Sequence, residues 1–184
     1  MGEIKGFIKY KRQDISHRPV EERILDFQNT DLPLSPEQII CQAARCTDCG
    51  IPFCHGYGCP LGNYIPDFND LVCKGQWEKA CELLHSTNNF PEITGRVCPA
   101  PCETACTLAV NDQPVNIKHI EYQIVERGFR ENWIKPLRAR QLSGKSVAVI
   151  GSGPAGMAAA QQLARYGHQV TVFEKDEKAG GLLR

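Results

Sequence analysis

The cysteines constrain this chain more than any other feature. Ten occur in 184 residues, and seven of them fall in two tight groups. Cys46-x2-Cys49-x4-Cys54-x4-Cys59-Pro60 puts four thiols within fourteen residues, and Cys98-x3-Cys102-x3-Cys106 adds three within nine. In a secreted domain such a density suggests disulfides, whereas in a reducing compartment clustered cysteines hold metal or do redox chemistry. The opening residues Met1–Tyr10 mix Glu, Lys, Gly and Ile without an apolar core and do not read as a secretory signal. The longest apolar runs, such as Val147–Ile150, are far too short to span a bilayer. The expected location is cytoplasmic.

Thiolates are soft ligands that match iron, and a cubane [4Fe-4S] cluster takes four protein ligands. Three close cysteines can hold three corners of one cluster while the fourth ligand comes from far along the chain. Two cubanes need eight ligands and the two groups supply seven, so a non-cysteine ligand is expected. Glu121 is a candidate on independent grounds. It falls within the apolar arc of Ile117, Ile120, Ile124 and Val125 on a predicted helix, where a carboxylate is costly to bury unless paired or metal-bound. A glutamate that snorkels from the edge of that face fits the pattern equally well. Structural zinc is the competing reading of the thiols. Zinc sites pair short Cys-x2–4-Cys knuckles in fours, and here only one x2 pair exists and seven thiols divide poorly. His55 reads as a loop residue rather than a ligand. Cys41, Cys73 and Cys81 read as small hydrophobes on helices.

The remaining composition is that of an ordinary soluble protein, 42% hydrophobic and 23% charged, with room for one or two domains. The formal net charge is zero, so no bulk field favours nucleic acid or an anionic membrane. Residues 1–34 read as an extended arm with a short helix around Glu21–Phe27. Ser35-Pro36-Glu37-Gln38 is a helix start, with Ser as N-cap, Pro at the first position and Gln closing a capping box; that helix delivers the chain to Cys46. Gly50–Gly62 should be irregular. Short helices are predicted near Asp67–Lys74 and Gln76–Thr87, and a second Pro/Cys-rich segment runs from Gly95 to Cys106. A longer helix over Asn116–Trp133 carries Ile117, Ile120, Ile124, Val125 and Phe129 on one broad face. Lys135–Gly144, with Pro136 and several basic residues, reads as a linker.

After the linker the pattern changes. Lys145–Ile150 is a short apolar strand, Gly151-Ser-Gly-Pro-Ala-Gly156 follows at once, Met157–Tyr166 is helical and ends at Gly167, and Gln169–Glu174 is a second strand. A strand, a G-x-G-x-x-G turn, a helix and an acidic residue closing the next strand together form a dinucleotide-binding fingerprint. Gly151 permits the tight turn, Gly153 lets backbone approach a pyrophosphate at a helix N-terminus, and Gly156 allows close helix–strand packing. Glu174 can accept hydrogen bonds from adenosine ribose hydroxyls and disfavours a 2′-phosphate, so FAD or NAD is expected at this turn rather than NADP. Two strands and one helix leave apolar surface uncovered, so the chain is expected to be a fragment of a longer protein. The expected division is an arm and cluster domain over 1–142, then the first βαβ unit of a nucleotide-binding domain over 143–184.

The stretches Cys46–Asn63, Thr94–Glu103 and Val149–Gly156 resemble the small (β) subunits of bacterial glutamate synthase and the matching region of the plant-type enzyme. A related module opens dihydropyrimidine dehydrogenase. The resemblance runs from Gly6-Phe7 through Arg18–Arg23 to the last residue. It implies an α-helical ferredoxin-like iron–sulfur domain followed by the start of an α/β Rossmann-type FAD-binding domain. It implies that Cys46, Cys49, Cys54 and Cys106 hold one [4Fe-4S] cluster, and that Cys59, Cys98, Cys102 and Glu121 hold the other. It also implies FAD at Gly151, Gly153, Ala155, Gly156, Glu174, Gly181 and Leu182, with NAD(P)H in a further domain outside this chain. Electrons would pass from NAD(P)H through FAD and the clusters to the large (α) subunit, which makes glutamate. The alternatives are the small subunit of another iron–sulfur flavoprotein, of the pyrimidine reductase or ferredoxin–NAD(P) transhydrogenase type, and a zinc-stapled module without activity. No residue reads as a general acid or base.

Overall fold

The structure is a computed structural model that describes residues 3–184. It divides into two compact units, Met1–Trp133 and Ile134–Arg184.

The first unit opens with the arm. Helix α1 (Gly6–Lys9) is one turn, strand β1 (Ser16–His17) pairs antiparallel with β2 (Asp31–Leu32), and α2 (Val20–Arg23) lies between them. The helix expected to reach Phe27 stops at Arg23. The Arg18 guanidinium grips both Asp26 oxygens at 2.9 and 2.8 Å, and Asp26 Oδ1 accepts the Gln28 amide at 2.9 Å. That local side-chain-to-backbone bond offers the chain a turn in place of a second helical turn.

Helix α3 (Pro36–Ala43) starts as its residues dictate. The Ser35 hydroxyl accepts the Gln38 amide, the Gln38 side chain accepts the Ser35 amide at 2.7 Å, and Pro36 sits in the first turn. The stretch expected to be irregular contains one π-helical turn, Cys54–Gly58. Then come α4 (Ile65–Cys73), α5 (Trp77–Thr87), α6 (Pro91–Val97), α7 (Pro101–Thr104) and, after a 3-10 turn at Thr107–Val110, α8 (Ile117–Arg130). Helix α8 packs against α3, α4, α5, α6 and α7 and is the spine of the unit. Its Ile117, Ile120, Ile124 and Val125 join Ile39, Ile65, Phe68, Val72 and Leu84 in the core.

Phe129, expected on the same face of α8, is exposed instead. At about 100° per residue it lies about 120° round from Ile117, outside the stripe, and Gly128 takes the inward place. Of the three cysteines outside the groups, Cys81 is buried on α5, while Cys41 on α3 and Cys73 at the end of α4 are half-buried.

In the second unit β3 (Ser146–Ile150) and β4 (Gln169–Phe173) run parallel, with Val147 opposite Val170 and Val149 opposite Val172. Helix α9 (Pro154–Arg165) connects them and packs on both. Strand β3 alternates, its Val147 and Val149 half-buried and its Ser146, Ala148 and Ile150 exposed. The helix starts at Pro154, three residues before the predicted Met157, because proline's fixed φ suits the first helical position directly after Gly153. The segment over 135–144 groups with this unit, where the Ser143 amide donates to the Gly167 carbonyl at 2.9 Å and the Ser143 hydroxyl meets His168 Nδ1 at 2.6 Å. Among the described residues no helix is long and apolar enough to cross a membrane.

Candidate functional site: two cysteine-lined cavities and a glycine turn

The seven grouped cysteines separate into two cavities, and the separation follows from the backbone. Cys46 leaves α3 through an amide bond to the Ala43 carbonyl at 3.0 Å. Asp48, in the left-handed region at φ 50°, then reverses the chain toward Cys49. The π turn carries Cys54 at its start and delivers Cys59 just past its end, where the Cys59 amide donates to the Cys54 carbonyl at 2.8 Å. The two thiols thus leave opposite ends of a wide turn and face different cavities. Helix α7 does the same for the second group, with Cys102 inside it and Cys106 just beyond.

The two dividers pack on each other at Gly58. A Cβ there would lie 2.7 Å from Cys102 Cα and 2.7 Å from Ala105 Cβ, so only glycine lets the π turn lie against α7. Ala100, at φ 54°, opens α7 from the left-handed region, with Cys98 two residues before it and Cys102 two after. A non-glycine residue in that region costs about 1–3 kcal/mol, a strain that collects at functional sites.

Cys46, Cys49, Cys54 and Cys106 line the first cavity, together with Thr47, Asn69 and Thr107. Burial pushes the Cys46 thiol up to about 11 and the Cys54 thiol up to about 12. The Cys49 sulfur lies 3.1 Å from the Thr47 hydroxyl and 3.0 Å from the Thr107 hydroxyl. Arg45, fully buried just before Cys46, donates to the Pro114 and Gln113 carbonyls at 3.0 and 2.8 Å and anchors the segment behind this cavity.

Cys59, Cys98, Cys102 and Glu121 line the second cavity, with Asn63 and Lys118 among its other residues. Glu121 is 6% exposed and does not snorkel. Its Oε1 accepts the Asn63 amide at 2.9 Å, while Asn63 Oδ1 accepts the Thr87 hydroxyl at 2.8 Å. Burial pushes the Glu121 carboxyl up to about 7 against that hydrogen bond. Burial, reinforced by Glu121 and Glu103, pushes the Cys102 thiol up as well. The Ala100 amide donates to Cys98 Sγ at 3.4 Å.

Both donor sets suit an iron–sulfur cluster. Buried thiols that resist ionisation, and a buried carboxylate with one partner, are groups whose charged forms a metal centre would stabilise. Asn69 is fully buried in the wall of the first cavity, and neither of its amide atoms has a hydrogen-bond partner among the described residues. Such an orphan needs an explanation, and a bound group with acceptor sulfurs supplies one. Tetrahedral zinc needs four donors about 2.0–2.3 Å from one point. Among the described residues no three His, Cys, Asp or Glu side chains are grouped to hold a single metal ion. The thiols stand round a volume instead. His55 is engaged elsewhere, its Nδ1 3.0 Å from the Asn63 carbonyl and its ring stacked on Tyr64.

In the second unit Gly151 holds φ 90° and donates its amide to the Phe173 carbonyl at 2.7 Å. Gly153 caps α9, and Ala155 follows Pro154 in its first turn. A Cβ on Gly156 would overlap the Gly151 carbonyl oxygen, so the helix lies directly on the turn. The Glu174 carboxylate accepts from the Ser152 amide at 2.9 Å, from the Ser152 hydroxyl, and from the Lys175 amide at 2.7 Å. The Ser152 hydroxyl leads in drawing the Glu174 carboxyl down to about 2. Gly181 lies against Gly153, where an added Cβ would stand 3.0 Å from Gly153 Cα, and Leu182 is fully exposed. The structure therefore gathers Gly151, Gly153, Gly156, Glu174 and Gly181 about one turn.

Sequence reasoning missed Asn63, Asn69, Arg45 and the two threonines. For Asn63, Arg45 and the threonines the only signal is proximity in sequence to grouped cysteines, which many residues share, and Asn69, within α4, has not even that.

A family model described as dihydropyrimidine dehydrogenase domain II, 4Fe-4S cluster, matches residues 23–133. A second, an NAD(P)-binding Rossmann-like domain, matches 149–184. The chain is 55% identical over 185 residues to the glutamate synthase [NADPH] small chain of Mycobacterium tuberculosis, covering 100% of this chain and 38% of that protein. It is 50% identical over 191 residues to the glutamate synthase [NADPH] small chain of Bacillus subtilis, covering 100% of this chain and 39% of that one. It is 50% identical over 180 residues to the glutamate synthase [NADH] of Saccharomyces cerevisiae, covering 97% of this chain and 8% of that one. The chain thus spans less than two fifths of the length of the small chains it matches. Fold, cavities and likeness agree: the chain belongs to the family of the dihydropyrimidine dehydrogenase domain II 4Fe-4S cluster domain, here followed by a Rossmann-like segment, and it is similar over its whole length to a part of glutamate synthase small chains.

Proposed function

We propose that this chain is the electron-input end of a glutamate synthase, carrying electrons that originate on NAD(P)H from FAD through two [4Fe-4S] clusters toward a large (α) subunit that makes glutamate, in the cytoplasm. The observation that carries the reading is the partition of seven thiols and one buried carboxylate into two separate cavities, four groups to each. In this reading Cys46, Cys49, Cys54 and Cys106 hold one cluster and Cys59, Cys98, Cys102 and Glu121 the other. Such clusters supply one-electron acceptors beside a two-electron flavin.

The chain's own residues bind and orient. The amides at the start of α9 and the backbone of Gly151 and Gly153 would hold a diphosphate, and Gly156 lets the helix lie close on that turn. Glu174 fixes the turn through Ser152 and is placed at the end of β4 for a ribose hydroxyl. Gly181, which lies against Gly153, together with Ala155 and the exposed Leu182 would supply the remaining FAD contacts. Around the clusters, apolar packing by Ile65 and Ile117 excludes water on the core side of the first cavity. Asn63 holds the Glu121 carboxylate in one orientation and is itself held by Thr87. We read residues 1–142 as the arm, the cluster domain and a closing linker that groups with the second unit, and 143–184 as the opening of the flavin domain.

The test is reconstitution of the parent protein with a glutamate synthase large subunit. NAD(P)H oxidation that requires both 2-oxoglutarate and glutamine, and that is lost when Cys59 or Cys98 is changed to alanine, supports the reading. Purified chain that holds zinc and no acid-labile sulfide overturns it.

A further inference from the structure

Polar side chains surround the first cavity in a way that nothing in its apparent ligand set requires. Asn69, on α4, is fully buried, lines the cavity, and has no partner for its Nδ2 or Oδ1 among the described residues. Leaving a buried amide unpaired is costly. Burial is the largest influence on the Cys46 thiol and pushes it up; the Asp48 amide and then the Asn69 side chain, near the sulfur but without a hydrogen bond of normal geometry, favour its thiolate. At the opposite corner the Thr47 and Thr107 hydroxyls lie 3.1 and 3.0 Å from Cys49 Sγ. With a thiol either atom can donate; with a metal-bound thiolate only the hydroxyls can. Backbone amides reach sulfur in both cavities, Asp48 to Cys46 and His55 to Cys54 in the first and Ala100 to Cys98 Sγ at 3.4 Å in the second, so the side-chain donors are what distinguish the first.

We propose that the Asn69 amide and the Thr47 and Thr107 hydroxyls donate hydrogen bonds to the Cys46 and Cys49 thiolates of the first cluster and raise its reduction potential, acting as positioning and tuning residues rather than ligands. The inference rests on the cluster reading above. Reduction adds one electron and no proton, so charge on the thiolate sulfurs grows. Donors aimed at those sulfurs bind the reduced form more strongly than the oxidised one, and hydrogen bonds to sulfur are among the factors that set cluster potentials. Burial of Asn69 keeps water from replacing it, so it carries the larger share. The threonines are exposed, and water can replace part of their effect.

The experiment is an anaerobic redox titration of the full chain, read by EPR, with iron and sulfide counted in the same samples. Asn69→Leu is isosteric in outline and cannot donate. It should keep full iron and shift the one-electron equilibrium of the first cluster about tenfold toward the oxidised form, which is about 59 mV, while leaving the second cluster unmoved. Thr47→Val with Thr107→Val should shift it in the same direction by a smaller factor, and Thr47→Ser with Thr107→Ser should restore it. Unmoved potentials in iron-replete variants, or equal shifts in both clusters, would overturn the proposal while leaving the cluster reading intact. Absence of iron from the unaltered chain would sink the cluster reading itself. Should Asn69→Leu fail to assemble a cluster, deuterium exchange of the unaltered protein decides. Exchangeable deuterons coupled to the reduced first cluster that disappear in Thr47→Val with Thr107→Val support the donors, and a deuteron signal that this double variant leaves unchanged refutes them.

Discussion

Replacing Gly95 with alanine tests how tightly the second cavity is framed. Gly95 lies on α6 facing Tyr122 on α8, and a Cβ added there would stand 3.0 Å from Tyr122 Cα, 3.0 Å from Tyr122 Cβ and 3.2 Å from Tyr122 N. None of those atoms can swing away, so the two helices must separate by several tenths of an ångström. Overpacking of this kind costs about 1–3 kcal/mol. Alanine's better helix propensity returns about 1 kcal/mol. The net is about 1 kcal/mol destabilising, a fall in Tm of about 2–8 °C for domains spanning this size. Gly95→Val adds bulk without the same propensity gain and should fall further. Gly56→Ala, in a helical turn where nothing lies within 4 Å of the added atom, is the control and should be neutral to about 1 kcal/mol stabilising. Because α6 ends at Cys98 and Glu121 adjoins Tyr122, the displacement should also drain iron from the second site before the first. Calorimetry and iron analysis of anaerobic samples measure both effects. A Tm raised by Gly95→Ala, as propensity alone predicts, would refute the close-approach argument.

Three further outcomes are expected. Glu121→Ala should remove one cluster's spectral signature and spare the other, and an unchanged spectrum with unchanged iron would exclude the ligand role. Gly156→Ala should abolish FAD retention by the parent protein, since the added methyl overlaps the Gly151 carbonyl, a backbone atom that cannot yield; flavin content after desalting reports it. Acid should loosen the nucleotide turn: the Glu174 carboxyl sits near 2 in the folded state against an ordinary 4.5, so the unfolded chain binds the proton first as pH falls. The stabilisation is complete above about 4.5 and is lost progressively toward about 2. The Ser152 amide resonance should follow that titration, and Glu174→Gln should flatten it.

The parts of this molecule written in local chemistry were readable in advance. The Ser35–Gln38 capping box, the apolar stripe of α8 and the glycine turn with Glu174 each rest on neighbours within a few residues or one helical period. Glu121 stands out in that stripe, but the pattern fits a buried and a snorkelling carboxylate equally, and its Asn63 partner carries no local signal because the bond joins residues 58 apart through a loop. Asn69 looked like one more polar residue of a short helix, and Arg45 like an ordinary basic residue beside a cysteine. Both are fully buried, and no periodicity marks a polar side chain that turns inward to serve a loop or a bound group. The end of α2 at Arg23 likewise depends on where the Arg18 and Asp26 side chains meet, which propensity alone does not specify.

The most direct measurement is iron and acid-labile sulfide per chain, taken anaerobically together with EPR of the dithionite-reduced protein. Two cubanes predict about eight of each atom and two interacting reduced centres, falling to about half in a Cys59→Ala, Cys98→Ala double variant. A colourless chain with intact thiols and no iron, or one holding zinc alone, would contradict the account.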